Sequence, residues 1–208
     1  MIECSRWSEL SDTMRFLANM TKSAKSHTEF RLLNGSPPIV LGIGDENEES
    51  RCSQLMYSLG QPPSGGTPLC AHIAEVTNQI KQIQDKLRLH RQKAVLVIFT
   101  DGEPSDGDIS LALEPLKTLP VMIVLRFCTD DSRIVSYWDS IDKQLELDMD
   151  VLDDLTGEAR EVVTYNTWLT YGDTLHRIRE FGCISRELDM IDEAPLSLEQ
   201  MRAVCSML

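Results

Sequence analysis

The chain has 208 residues, with 33 Asp and Glu against 20 Lys and Arg, a formal net charge of −13. Residues 1–100 hold ten acids and eleven bases, and residues 101–208 hold twenty-three and nine, so nets of +1 and −14 place the whole excess in the second half. Such a chain lacks the basic face that nucleic-acid binding by counterion release or docking on an anionic membrane requires; the charge favours cations, basic partners or plain solubility.

No apolar run approaches the roughly 18 residues of a membrane span, and the start, Met-Ile-Glu-Cys-Ser-Arg-Trp, does not read as a secretory signal. Six cysteines (Cys4, Cys52, Cys70, Cys128, Cys183, Cys205) form no C-x-x-C pair, so zinc is not expected and reduced thiols in an intracellular, cytoplasmic setting are.

In chain order, Trp7, Leu10, Met14, Leu17, Thr21 and Ala24 recur at helical spacing and predict a helix over 6–25. Thr28–Leu33 and Pro38–Ile43 read as short strands around Asn34-Gly35, an antiparallel hairpin. An acidic stretch from Asp45 leads into a short helix ending near Leu59, and Gly60–Gly66 is a loop. Leu69, Ile73, Val76, Ile80, Ile83 and Leu87 predict a long helix, with Thr67 as cap and Pro68 at its first position. Ala94–Thr100 and Val121–Phe127 both read as strands buried on both faces, with a weaker helix between them near Ile109–Thr118. Ile134, Trp138, Ile141 and Leu145 predict a further helix; Glu161–Tyr165 reads as a strand and Trp168–Phe181 as a helix ended by Gly182. Ser197 with Gln200 is a capping-box pattern opening a last amphipathic helix.

Strands alternating with helices predict an α/β fold: a mostly parallel sheet, the hairpin as its antiparallel edge, helices on both faces, and a helical tail. Residues 1–182 are expected to form the domain and 183–208 the tail. Trp7 and Trp138, on apolar helix faces, are expected in the core.

Ligands of open α/β sheets bind beyond the carboxyl ends of the strands. After Ala94–Thr100 comes Asp101-Gly102-Glu103-Pro104-Ser105-Asp106-Gly107-Asp108, and after Val121–Phe127 come Asp130 and Asp131. Clustered carboxylates suit Mg²⁺ or Ca²⁺, while acids in such loops also cap helices. The loop Gly60–Thr67 fails as a phosphate-binding loop, because Gly66 stands where the lysine is required and a helix precedes it.

The pairing of Gly65-Gly66-Thr67-Pro68-Leu69 at a helix start with Thr100-Asp101-Gly102 at a strand end resembles the von Willebrand factor A (vWA) domain. The resemblance covers residues 6–182 and implies a Rossmann-like fold and a metal-ion-dependent adhesion site. Thr67 resembles the hydroxyl ligand of that site and Asp101 its carboxylate; Gly65, Gly66, Gly102, Asp106 and Asp130 lie near it in the pattern. A partner's carboxylate would complete a Mg²⁺ sphere. The family's opening strand, with Asp-x-Ser-x-Ser, has no counterpart here, so the site is expected to be incomplete, Mg²⁺ binding weak or absent, and the chain to begin late. The expected function is a non-catalytic protein-interaction module. The alternative is a Mg²⁺-dependent hydrolase using Asp101, Asp106 and Asp108, for which the sequence offers no base or nucleophile.

Overall fold

The computed structural model describes residues 6–35, 37–129, 131–145, 149–152, 154–182 and 185–207. The chain divides into two compact units: residues 1–76 with 102–112, and residues 77–101 with 113–208. The described helices include none long and apolar enough to cross a membrane.

The first unit is built on helix α1 (Arg6–Ala24), the hairpin β1 (Thr28–Phe30) and β2 (Ile39–Leu41), and helix α2 (Glu48–Leu59). Of the helical stripe seen in the sequence, Leu17 and Thr21 are buried, Trp7, Leu10 and Met14 half-buried and Ala24 exposed, while Ser11, Thr13 and Ala18 are buried as well. α1 ends in a Schellman turn: Lys25 takes a left-handed φ of 50° and Ser26 N–H donates to the carbonyl of Thr21 at 3.0 Å. β1 and β2 pair antiparallel, Thr28 opposite Leu41. Ile39 and Leu41 pack with Ala18 of α1 and with Cys52, Leu55 and Leu59 of α2. Trp7 rests partly buried on this cluster and donates its indole N–H to the Leu59 carbonyl at 3.1 Å.

The hairpin is a separate two-stranded sheet and does not extend the parallel one, contrary to the expected antiparallel edge. Its strands are three residues long, and their buried side chains are committed to α1 and α2.

Helix α3 (Leu69–Leu89) follows, crossing the boundary between the units in sequence. It too ends on a left-handed residue, Arg91 at φ 52°, with Gln92 N–H on the Leu87 carbonyl at 2.9 Å.

The second unit holds a parallel sheet of β3 (Ala94–Thr100), β4 (Val121–Phe127) and β5 (Met149–Leu152), in the order β3-β4-β5. β3 and β4 pair in full, from Ala94 opposite Val121 to Thr100 opposite Phe127. Between them lie α4 (Ile109–Leu113) and a 3₁₀ turn over Glu114–Thr118 with Pro115 near its start, the weak helix anticipated from that proline. β4 is the central strand and is buried almost throughout. β3 is an edge strand with Val95 45% exposed, so the expectation that it is buried on both faces fails. Its continuous apolar run reflects one buried face plus β-branched residues that suit an edge as well.

Helix α5 (Ser132–Leu145) buries Trp138 completely. The segment expected as a strand at Glu161–Tyr165 is the end of helix α6 (Leu155–Tyr165). Asp154 caps it, accepting from Gly157 N–H at 2.7 Å, and Leu155, Ala159 and Val162 face one cluster at helical spacing. The β-branched Val162-Val163-Thr164 disguised it, since tertiary burial overrides local propensity. The strand at this point in the order is β5, hidden in the sequence by Asp150.

Helix α7 (Asp173–Glu180) is shorter than the expected 168–181 and leads into Gly182 at φ 77°. Packing then continues across residue 182. Leu188 of α8 (Arg186–Asp189), Ile191, Leu196 and Val204 of α9 (Leu198–Met207) share one cluster with Val162, Tyr171 and Leu175. Asn166 ties this segment down: its Nδ2 donates to the carbonyls of Ile191 (2.8 Å) and Ala194 (2.9 Å), and its Oδ1 accepts from Leu196 N–H (3.0 Å). The capping box of α9 is formed in both directions, Ser197 N–H to Gln200 Oε1 at 2.9 Å and Gln200 N–H to Ser197 Oγ at 3.4 Å.

Candidate functional site

In the first unit, the Gly65-Gly66-Thr67 loop is held from two sides. Asn34, in the hairpin connection, donates from Nδ2 to the Gly66 carbonyl at 2.5 Å. From the acidic loop, Ser105 Oγ accepts from Thr67 N–H at 2.8 Å and Ser105 N–H donates to the Thr67 carbonyl at 2.9 Å. These contacts explain the glycine pair. Gly65 sits at φ +97°, and a Cβ there would meet Asn34 Cγ at 2.7 Å; a Cβ on Gly66 would meet Ser105 Oγ at 2.9 Å.

Asp106 binds the start of α3: its two oxygens accept from the backbone N–H groups of Cys70 (3.1 Å) and Ala71 (2.9 Å). Desolvation opposes its charge, but the N–H groups of Ala71 and Cys70 prevail and lower its pKa. The thiol of Cys70 is pushed up to about 11 by burial and then by the Asp106 charge, so it is a neutral group rather than a nucleophile. Asp108 does similar work at α4, its Oδ1 accepting from Ser110 N–H at 2.8 Å. Thus Gly65, Gly66, Thr67 and Asp106 are brought together, with Asp106 acting as a helix cap. Gly102, in the same unit, has open space where a Cβ would stand.

Among the described residues, the hydroxyl of half-buried Thr67 makes no hydrogen bond, nor does the carboxylate of exposed Asp101 in the second unit. A hydroxyl and a carboxylate fit a hard cation in kind, but two donors fall short of its coordination in number. Asp130 lies outside the described residues.

The second unit holds a constellation that the sequence reading missed. Arg179, on α7 and essentially unexposed, pairs with three carboxylates: Glu158 Oε2 at 2.7 Å, Asp192 Oδ2 at 2.9 Å and Asp150 Oδ1 at 3.2 Å. Those acids come from α6, the turn after α8, and β5. Glu180, one position along α7, takes Arg126 Nε of β4 at 2.8 Å and Arg177 Nη1 at 3.0 Å, with His176 Nε2 3.4 Å away. Tyr171 Oη lies 3.1 Å from His176 Nδ1.

The two clusters are tuned in opposite senses. Burial pushes the Asp150 carboxyl up to about 6; Arg179 pulls against this, while Asp189 and Asp192 add to it. Burial also opposes the charge of Glu180, but hydrogen bonds from His176 and Arg126 outweigh it and hold the carboxyl at about 2. Arg179 is held firmly charged, since Asp150, Asp192 and Glu158 outweigh its own desolvation. The available signal was Arg126, a charge inside an otherwise apolar strand, which obliges the fold to supply a buried partner. Glu158, Glu161 and Asp192 each offer a carboxylate oxygen, and these oxygens lie within 4.8 Å of one another.

No protein-family model, curated protein or solved structure matches this chain.

Proposed function

We propose that the chain is a non-catalytic protein-interaction module of the vWA-like kind. In this reading Thr67 and Asp101 are two contacts of an incomplete metal-ion-dependent adhesion site, and a protein partner supplies a carboxylate toward Mg²⁺. The observation that carries it is the division of labour in the GGT loop and the acidic loop. Asn34, Ser105 and Asp106 fix the backbone, while the Thr67 hydroxyl is left without an intramolecular hydrogen bond among the described residues. Holding a loop rigid while leaving its polar tip uncommitted is how a binding site is pre-organised. The hydrolase alternative is weakened, because Asp106 and Asp108 are both engaged with helix-start N–H groups.

The test is capture of partners on immobilised protein with Mg²⁺ or with EDTA, for the unaltered chain and for Thr67→Ala and Asp101→Ala. Both variants change side-chain groups that make no hydrogen bond or ion pair among the described residues and are expected to fold. The reading expects a Mg²⁺-dependent partner lost in both; a partner retained equally by both variants overturns it. Turnover of generic phosphate or acyl esters abolished by Asp101→Asn would instead establish the hydrolase.

A further inference from the structure

We propose that Glu158, Glu161 and Asp192 form a binding site for a hard divalent cation, separate from Thr67 and Asp101. Glu158 and Glu161 are three residues apart on α6 and so project from one side of that helix. Asp192, in the turn after α8, brings a third carboxylate, with one oxygen from each of the three inside 4.8 Å.

Arg179 already accounts for part of this set, through Glu158 Oε2 at 2.7 Å and Asp192 Oδ2 at 2.9 Å. It does not account for the other oxygen of Asp192. That side chain is only 9% exposed, and its Oδ1 is buried with no hydrogen-bond partner among the described residues. A buried acceptor without a donor is costly, and an ionised one more so. A bound cation supplies what Asp192 Oδ1 lacks.

The surroundings fit an ion that keeps some of its water. Glu158 is buried, Asp192 intermediate and Glu161 exposed, so the set runs from the interior to the solvent. With oxygen as the sole donor type, the site selects Ca²⁺, Mg²⁺ or Mn²⁺ over the softer metals. The ion would bridge α6 to the turn between α8 and α9, fastening the last segment of the chain.

The test is titration of the full chain with Ca²⁺, Mg²⁺ and Mn²⁺ separately, by calorimetry and, for Mn²⁺, by water-proton relaxation. At least one ion is expected to bind and to raise Tm by mass action. Glu161→Gln, an exposed and nearly isosteric change, is expected to weaken that binding roughly tenfold or more. Asp192→Asn is expected to weaken it similarly. Asp101→Ala should leave it intact, which separates this site from the one proposed above. No binding by the unaltered chain up to about 10 mM, beyond the weakest ordinary protein sites, overturns the proposal. So does binding that survives both Glu161→Gln and Asp192→Asn.

Discussion

Two regions of this molecule are rich in carboxylates, and each solves the problem of holding them differently. In the loop after β3, Asp106 and Asp108 are answered by backbone N–H groups at the starts of α3 and α4. In the second unit, Asp150, Glu158 and Asp192 all pair with one buried side chain, Arg179. The first solution is shared among three peptide N–H groups, so the loss of any one carboxylate is contained. The second concentrates three acids on one cation in a low-dielectric interior, where removing that cation breaks three buried ion pairs at once. Composition alone does not distinguish the regions; what separates them is whether the counter-charge belongs to the backbone or to a side chain.

The largest expected effect follows from that concentration. Arg179→Met keeps much of the volume and removes the charge; breaking its three buried ion pairs should cost about 3–5 kcal/mol, measured by urea unfolding. Arg179→Lys keeps a positive charge but loses the fork that reaches Asp150, Glu158 and Asp192 together, so an intermediate loss is expected. A loss no larger than that of an exposed arginine such as Arg133 would break the contrast.

Next in size is Asn166→Ala. It removes two donated bonds and one accepted bond that tie the segment from Ile191 to Leu196, leaving buried carbonyls and an N–H without partners. A loss of about 1–3 kcal/mol is expected, with hydrogen exchange accelerated in α9 before β4.

The paired clusters also predict a pH dependence with two opposite slopes. Asp150 has its carboxyl raised from 3.8 to about 6, so above that value the folded protein carries a disfavoured buried charge. As pH falls from about 6 towards 3.8, the folded state takes up a proton that the unfolded chain does not yet hold, and stability from this group rises. Glu180 runs the other way: its folded value of about 2 against 4.5 gives a stabilisation intact above 4.5 and lost as pH falls towards 2. Relative to Asp150→Asn, the unaltered chain should gain stability on acidification between about 6 and 4. Relative to Glu180→Gln, it should lose stability below about 4.5. Parallel stability curves for the unaltered chain and Asp150→Asn would remove the first claim.

The sequence was legible where order is local. The helical stripe from Trp7 to Ala24, the capping box at Ser197 and Gln200, and the weakening of a helix by Pro115 all depend on neighbours within a turn or two. It was much less legible where a residue's meaning depends on a distant partner. Asp150 hid β5 because a charge in a four-residue strand makes sense only with Arg179 beside it. Val162 and Val163 read as strand because the cluster that holds Val162 is completed by Leu188, Ile191 and Leu196, far along the chain. Of the candidate residues, the sequence pattern pointed to the GGT loop, yet that Asp106 caps α3 appears only once the acidic loop is seen against that helix.

The smallest effects belong to the backbone-answered region, and there the contrast can be sharpened by a cycle rather than by a single change. Gly66 has an ordinary φ, so alanine is excluded there only by the approach of Ser105 Oγ, 2.9 Å from where the Cβ would be. Ser105→Ala removes the obstacle and, with it, the bond from Thr67 N–H. Gly66→Ala should therefore destabilise the unaltered chain but cost measurably less in a Ser105→Ala background, a coupling that a double-mutant cycle reads directly. Asp106→Ala should weaken the start of α3, while Asp106→Asn, which still offers an acceptor oxygen, should retain most of the cap. If the two substitutions at Gly66 and Ser105 were simply additive, the glycine would owe its place to something other than the close approach of the acidic loop. The GGT loop would then lose one of the contacts that hold its backbone around Thr67.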